Sequence, residues 1–179
     1  MLFRSVSTRL QILVRALESQ QRDLGLSSMP HLMEYPTAAV NSGSTDFGSG
    51  TTDNLFDRVW SDERTLVATS ENLDLSGVLT SQLDGSSVTF VEVNGIMIYN
   101  TATTYTSRLS VGGVANAAFT GLFGDVSDVI KVGALGTLVW FAPLDGGGLS
   151  ITNATADLLK LDSGAATITY RIVLIGRSA

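Results

Sequence analysis

The chain has a single histidine, His31, and this residue is the first to test for catalytic chemistry. A serine-histidine-aspartate triad needs its general base held to within about half an ångström of the productive position. His31 lies between Pro30 and Tyr35-Pro36, in a stretch without a regular pattern. Glu34 is the nearest second metal ligand, but two ligands do not close a zinc site that usually needs four. The sequence therefore predicts neither a hydrolase triad nor a metal centre at His31.

Acidic residues and a glycine run are the next candidates. Asp125 and Asp128 could donate oxygens to calcium, but the twelve-residue loop and bidentate glutamate of an EF-hand are missing. The three glycines at 146–148 precede a predicted strand and no Lys-Ser/Thr follows them, so they do not form a phosphate loop. A glycosidase needs two carboxyl groups at a defined separation in a cleft, and nothing in the sequence points to such a pair. We expect solvated turns at these positions, no enzyme and no cofactor.

Aromatic residues remain as candidates for a binding surface. Trp140 and Tyr170 fall inside apolar runs, so we expect both in the core. Trp60 and Tyr105 stand beside polar runs instead. We consider these two as surface aromatics on which a sugar could stack.

Composition excludes several classes of protein. The chain has 179 residues, of which 44% are hydrophobic and 16% charged, and it contains no cysteine. A disulfide scaffold and a thiol nucleophile are therefore excluded. The formal net charge of −6 and a sequence pI of about 4.6 argue against the large basic surface of a nucleic-acid binder. No apolar stretch is long enough to span a bilayer, so we expect a soluble protein without membrane contact.

Residues 1–25 have the pattern of an amphipathic helical arm. Residues 1–23 carry four arginines against Glu18 and Asp23, a net charge of +2 that leaves −8 on the rest of the chain. A lone helix of this length is only marginally stable in water, so its apolar stripe needs a partner. Packing on its own domain, self-association, docking on another protein and a targeting peptide remain open. The stripe consists of Phe3, Val6, Leu10, Leu13, Leu17 and Leu24, at alternating spacings of three and four when Gln20, its one polar member, is included.

Residues 26–54 are predicted to form an extended linker. Pro30, Pro36 and the small polar residues from Asn41 to Gly50 break any regular pattern. A stretch of this length without structure is unusual inside a compact domain, so it is either disordered or laid across a neighbouring subunit. Apolar residues such as Tyr35 and Phe47 favour the second alternative.

Residues 55–179 predict an all-β body, an antiparallel β-sandwich of eight or more strands that is jelly-roll-like. In Thr167–Ile175 the apolar residues alternate, which places Ile168, Tyr170, Ile172 and Leu174 on one face. Asn94-Gly95 is either a hairpin turn or a bulge within one long strand. Continuous apolar runs, typical of strands buried on both faces, occur at Val88–Val93, Ile96–Tyr99 and Leu138–Phe141. Shorter candidate strands are Leu66–Ala68, Leu73–Leu75, Leu109–Val111, Val129–Val132, Leu149–Ile151 and Leu158–Leu161.

Glycine turns and strand ends give this body a recognisable set of motifs. They are Glu71–Gly77, Leu109–Gly113 with Phe123-Gly124-Asp125, Ala156–Lys160 and Val173–Ala179. These segments resemble a family of small virion proteins encoded by tailed bacteriophages, over about residues 60–179. The motifs are structural, so the resemblance implies a place in a particle rather than an activity. Family members often have Pro-Gly-Gly where this chain has Ala134-Leu135-Gly136.

Taken together, the residues and the resemblance predict a non-enzymatic phage structural protein. We expect a capsid decoration or cement protein on the exterior of the virion, assembled in the host cytoplasm. Its expected partners are the major capsid protein and further copies of itself in a homotrimer, with no nucleic acid and no membrane. A tail or fibre component and a glycan-binding β-sandwich module remain alternatives.

Overall fold

The computed structural model describes residues 50–179, except 54, 78, 82–84, 143 and 145. In the first 49 residues it describes only the backbone of four strands, which are Thr8–Arg9, Leu13–Arg22, Gly25–Glu34 and Asp46–Phe47. The second of these pairs antiparallel with the third, and the first with the fourth. The chain divides into two compact units near residue 49.

The sequence predicts a helix over residues 1–25, but the described backbone in this region is strand. Within it, Leu13–Arg22 is paired as a strand, and apart from Thr8–Arg9 the rest of residues 1–24 lies outside the described residues. Nucleation of a lone helix is costly, whereas pairing with Gly25–Glu34 satisfies backbone groups of both segments. The predicted linker contains most of that partner strand and the strand Asp46–Phe47, and its other residues before 50 lie outside the described residues.

Eight strands between residues 58 and 177 form two antiparallel sheets. They are β1 (Arg58–Val67), β2 (Ser70–Asp74), β3 (Glu92–Asn100), β4 (Leu109–Gly112), β5 (Val129–Val132), β6 (Thr137–Phe141), β7 (Leu158–Asp162) and β8 (Thr167–Arg177). One sheet has the strand order β6-β3-β8-β1 and the other β5-β4-β7-β2. A short strand, Leu149–Ser150, extends the first sheet beside β3, and Leu79–Thr80 pairs with Ser87–Val88. The predicted all-β, antiparallel architecture is confirmed.

The core lies between the inner faces of these two sheets. Every second side chain of β8 points inward, as the sequence predicts. These inward side chains are 1% exposed or less, and they are Ile168, Tyr170, Ile172 and Leu174. Leu109 of β4 and Leu161 of β7 come from the other sheet and belong to the same cluster of buried side chains. The sheets therefore pack as a sandwich around one hydrophobic core.

Asn94-Gly95 lies inside β3, so the bulge alternative is right and the hairpin is excluded. Gly95 pairs with Ile175 while Val93 pairs with Gly176, which leaves Asn94 as the extra residue of the bulge. A Cβ atom on Gly176 would lie 2.1 Å from the carbonyl oxygen of Glu92. The two backbones can approach this closely only because residue 176 has no side chain.

The edge strands differ most from the sequence prediction. The predicted strand Leu66–Ala68 overlaps only the last two residues of the ten-residue β1, because the charged run Asp62-Glu63-Arg64 hides the alternation. Charged side chains suit an edge strand, where they discourage pairing with other chains. At the opposite edge, the prediction that Leu138–Phe141 is buried on both faces is wrong. Val139 there is 40% exposed, because its side chain lies on the outer face of the sheet. The same prediction for Ile96–Tyr99 is also wrong, since Met97 of the central strand β3 is 41% exposed on that face.

Candidate functional site

Trp60 lies in the core, which corrects the prediction that it is a surface aromatic. Its side chain is 1% exposed and its indole nitrogen donates a hydrogen bond of 2.9 Å to the carbonyl oxygen of Thr80. Alternation along β1 turns Trp60 inward, and the polar neighbours that suggested exposure, such as Ser61, project from the other face. The guanidinium of Arg64 lies 5.6 Å from the centre of the indole ring.

Tyr105, the other predicted surface aromatic, is 84% exposed. It lies in a tight turn between β3 and β4, closed by a hydrogen bond from the amide of Ser107 to the carbonyl of Thr104. An aromatic ring this exposed is available for contact with a ligand. The exposure that the sequence predicts for Tyr105 is confirmed, and its role in binding stays a prediction.

A buried asparagine, Asn100, holds the loops around Tyr105 in place. Its amide nitrogen donates to the carbonyls of Ser107 (3.1 Å) and Val132 (3.0 Å), and its side-chain oxygen accepts from the amide of Ala102 (3.0 Å). Leu135, which follows β5, donates its amide to the carbonyl of Ala102. The β3–β4 and β5–β6 loops are therefore fixed to one another rather than free to move independently.

Two shallow hollows open at this end of the sandwich, and we call them the rim hollows. The first, of about 380 Å³, is lined by Thr103, Tyr105, Arg108, Lys131, Gly133, Ala134 and Leu135. The second, of about 520 Å³, is lined by Thr106, Ser107, Arg108, Ser110, Lys131 and residues 162–166. Both hollows share the side chains of Arg108 and Lys131. Arg108 and Ser110 alternate with buried Leu109 along the start of β4, so they project from the outer face of that sheet.

The two shared cations differ from the other basic residues of the body. Residues 55–179 contain seven lysines and arginines, and five of them lie within 4 Å of a carboxylate. Those five are Arg58, Arg64, Lys160, Arg171 and Arg177. Arg108 and Lys131 form no ion pair with any residue in the described part of the chain. Sequence analysis missed both, because neither stands in a motif and only the structure shows which cations are neutralised.

A second surface feature lies on the outer face of the β6-β3-β8-β1 sheet. Val139, Met97 and Val173 are register partners on three adjacent strands, and all three point away from the core. Val139 and Met97 are 40% and 41% exposed, and Val173 is half-buried. We call these three residues the apolar strip. Beside it, Arg171 donates a hydrogen bond of 2.5 Å to Glu63, so the adjoining charges neutralise each other.

A buried ion pair fixes the segment that precedes β1. Arg177 is fully buried, and its guanidinium donates to the carboxylate of Glu92 (2.6 Å) and to the carbonyl of Leu55 (3.0 Å). The same guanidinium lies 5.4 Å from the ring of Phe56. Ser178 adds a backbone and a hydroxyl hydrogen bond to the carboxylate of Asp57. The end of β8 therefore holds the place where the preceding part of the chain joins the sandwich.

The predicted turn at Asp125 and Asp128 is present. The carboxylate of Asp125 accepts from the amide and the hydroxyl of Ser127, and these bonds lower the pKa of Asp125. Asp128 accepts from the amide of Asp125 at 2.9 Å. One oxygen of each carboxylate is thus used within the turn. Among the described residues, no group of three histidine, cysteine or acidic side chains is placed to hold a metal ion.

The remaining predicted site residues belong to the first 49 residues. The side chains of the apolar stripe, and those of His31 and Glu34, lie outside what the structure describes. The stripe consists of Phe3, Val6, Leu10, Leu13, Leu17 and Leu24. Its role in binding a partner stays a prediction.

Comparisons with known proteins add no relative. No protein family, no curated protein and no solved structure matches the chain. In the described part of the chain, no helix has the length and apolar character to cross a membrane.

Proposed function

We propose that this chain is a non-enzymatic structural protein of a phage virion, a capsid decoration or cement protein on the outside of the shell. The apolar strip of Met97, Val139 and Val173 carries the proposal. A sandwich normally turns polar side chains outward, and contiguous apolar side chains on an outer face are typical of protein contacts. Because function resides in sites rather than folds, this surface is the main argument for a role in assembly.

The order of the strands supports the same proposal. In chain order, the two sheets contain strands 6-3-8-1 and 5-4-7-2. We infer from this arrangement two interlocked Greek keys, the pattern of the eight-stranded jelly roll. Jelly rolls recur in viral capsid proteins and in lectins, which agrees with the family that the sequence resembles.

Further copies of the chain are the occupant that we propose for the apolar strip, in a homotrimer. The ion pair of Arg171 with Glu63 borders the strip, so contact there does not require burying an uncompensated charge. The whole chain carries a net charge of −6, so copies repel one another. Apolar burial at the strip is the attraction that we propose to outweigh this repulsion.

The leading segment is the element that we propose to bind the major capsid protein. Its apolar residues from Phe3 to Leu24 are the side chains that we propose to lie in a groove on the shell. The ion pair of Arg177 with Glu92, and the hydrogen bond of Arg177 to Leu55, hold the start of the body in place. Three such segments in a trimer bind together, because the first contact raises the effective concentration of the other two. A modest contact per copy then suffices for stable attachment.

Two variants test these two roles separately. Val139→Lys places a charge in the strip, and Thr137→Lys is the matched control two residues away on the same face of β6. We expect light scattering to give a trimer mass for the wild type and the control, and a monomer mass for Val139→Lys. Equal masses for all three proteins would contradict the proposed interface.

Deletion of residues 1–24 tests the attachment to the shell. We expect the shortened chain to fold, with the far-ultraviolet circular dichroism of a β-protein, but to be lost from purified particles on washing. Particles without it should also lose resistance to heat and low ionic strength. A shortened chain that is retained as firmly as the full one would show that the leading segment is not the anchor.

A further inference from the structure

We propose that the rim hollows bind an acidic saccharide, whose carboxylate is held between Arg108 and Lys131 while its ring lies against Tyr105. This inference does not depend on the virion proposal. The hollows lie on the β5-β4-β7-β2 side of the sandwich, whereas the apolar strip lies on the outer face of the other sheet. A body attached through the strip would therefore leave the hollows accessible.

The positive charges of Arg108 and Lys131 favour a ligand that carries an anionic group. Arg108 and Lys131 have no ion pair in the described part of the chain, although the body contains more acidic than basic residues. Both side chains line both hollows, so their charges add at one place. The planar guanidinium of Arg108 offers two parallel donors that match a carboxylate, and Lys131 supplies a second, more adaptable donor.

Tyr105 favours a ring over a simple anion. Its ring is 84% exposed, and its turn is fixed through Ser107 to the buried Asn100. A tyrosine has few rotatable bonds, so it offers a large contact area at a low cost in conformational entropy. The apolar face of a pyranose ring is a suitable partner for such an aromatic surface.

The polar lining of the second hollow suits hydroxyl groups. Ser110 contributes a hydroxyl, and Asp162 contributes a carboxylate that already accepts from the amide of Gly164 (2.7 Å) and lies 3.4 Å from Lys160. Because Asp162 repels a second anion, the carboxylate of the ligand belongs in the first hollow. Its hydroxyls extend toward Ser110 and Asp162. Each hollow lies within the range of about 300–1,000 Å³ that is usual for small-ligand sites.

The number of cations argues against a nucleic acid. Binding of a polyphosphate gains its free energy from many basic contacts and the release of their counterions. In the body, only Arg108 and Lys131 have no ion pair with a described residue, and two cations on a body with more acidic than basic residues cannot supply this. A sugar with one carboxylate per residue needs only the pair that the structure provides.

Calorimetric titration of the full chain with a trimer of galacturonic acid tests the proposal. The fully methyl-esterified trimer, which has the same rings without charge, is the control ligand. We expect saturable binding of the acidic trimer that weakens as salt is raised from about 50 to 200 mM. Arg108→Gln and Lys131→Gln should each weaken it about tenfold, which corresponds to about 1.4 kcal/mol. Arg171→Gln, at an exposed arginine on the other sheet, should change it less than about twofold.

Tyr105→Ala separates a saccharide from a plain anion. We expect this variant to lose affinity for the trimer and to leave any weak binding of inorganic sulfate unchanged. Arg108, Lys131 and Tyr105 are exposed, so their variants should keep the urea midpoint of the wild type. The proposal is overturned if the trimer does not bind, or if its methyl ester binds equally well. It is also overturned if sulfate binds at these residues as tightly as the trimer does.

Discussion

Replacing the buried arginine at the end of β8 should strongly destabilise the body. In Arg177→Met the apolar stem is kept, but the carboxylate of Glu92 loses the guanidinium that lies 2.6 Å away. Glu92 is only 9% exposed, so its charge stays in a poorly solvated place. Loss of one partner of a buried ion pair costs about 3–5 kcal/mol. Since domains are stable by about 5–15 kcal/mol, this is about a third or more of the total.

Urea unfolding followed by tryptophan fluorescence measures this loss, because Trp60 lies in the core and changes its environment on unfolding. We expect the midpoint to fall at an unchanged slope, and the melting temperature to drop by about 10 °C or more. Arg108→Met is the matched control. It makes the same chemical change at an exposed arginine that has no ion pair with a described residue, and it should cost less than about 0.5 kcal/mol.

A double variant tests whether charge or packing causes the effect. Glu92→Gln removes the orphaned charge, and the remaining amide oxygen can still accept from the amides of Gly148 and Asn94, which now bond to Glu92. The double variant Glu92→Gln with Arg177→Met should therefore recover about 1–2 kcal/mol relative to Arg177→Met. A loss below about 1 kcal/mol for Arg177→Met, or no recovery in the double variant, would refute this reasoning.

Three further predictions concern the body. Gly176→Ala should lower the free energy of unfolding, measured in urea, by about 3 kcal/mol, because its Cβ would meet the backbone at the bulge. Gly133→Ala should lower it by almost nothing, because the space around residue 133 is open. Equal losses would contradict the close approach at Gly176. Burial and the hydrogen bond to a carboxylate raise the pKa of Tyr170 above its ordinary value, so above about pH 10 the unfolded state alone ionises and stability falls. Tyr170→Phe should remove this alkaline fall, and a fall of unchanged size would assign it to another group. Millimolar calcium should leave the melting temperature unchanged, since Asp125 is already used by its own turn, and a rise that Asp125→Asn abolishes would reveal a calcium site.

Much of the sandwich could be predicted because its central strands keep a period of two. Along β8, each inward residue from Ile168 to Leu174 is apolar and each is buried. Val129–Val132 was predicted with the bounds that the structure gives. Where a strand lies at an edge, as β1 does, its charged residues break the pattern and its length could not be seen.

The binding surfaces were harder to predict, because each depends on residues far apart in the chain. Tyr105 was identified by its polar neighbours, and Trp60 was misassigned on the same argument, since alternation along a strand can turn one residue inward among polar ones. Arg108 and Lys131 meet only because β4 pairs with β5. That neither has a carboxylate partner among the described residues can be recognised only from the structure.

The proposed role in assembly predicts that this chain is part of a virion, and an image reconstruction of purified phage particles tests that role most directly. We predict density for the eight-stranded sandwich on the outer surface of the shell, clustered around threefold axes. In that density Met97 and Val139 would be covered by a neighbouring copy and Tyr105 would face outward. Particles without such density on the shell, or with the apolar strip open to solvent, would contradict the account.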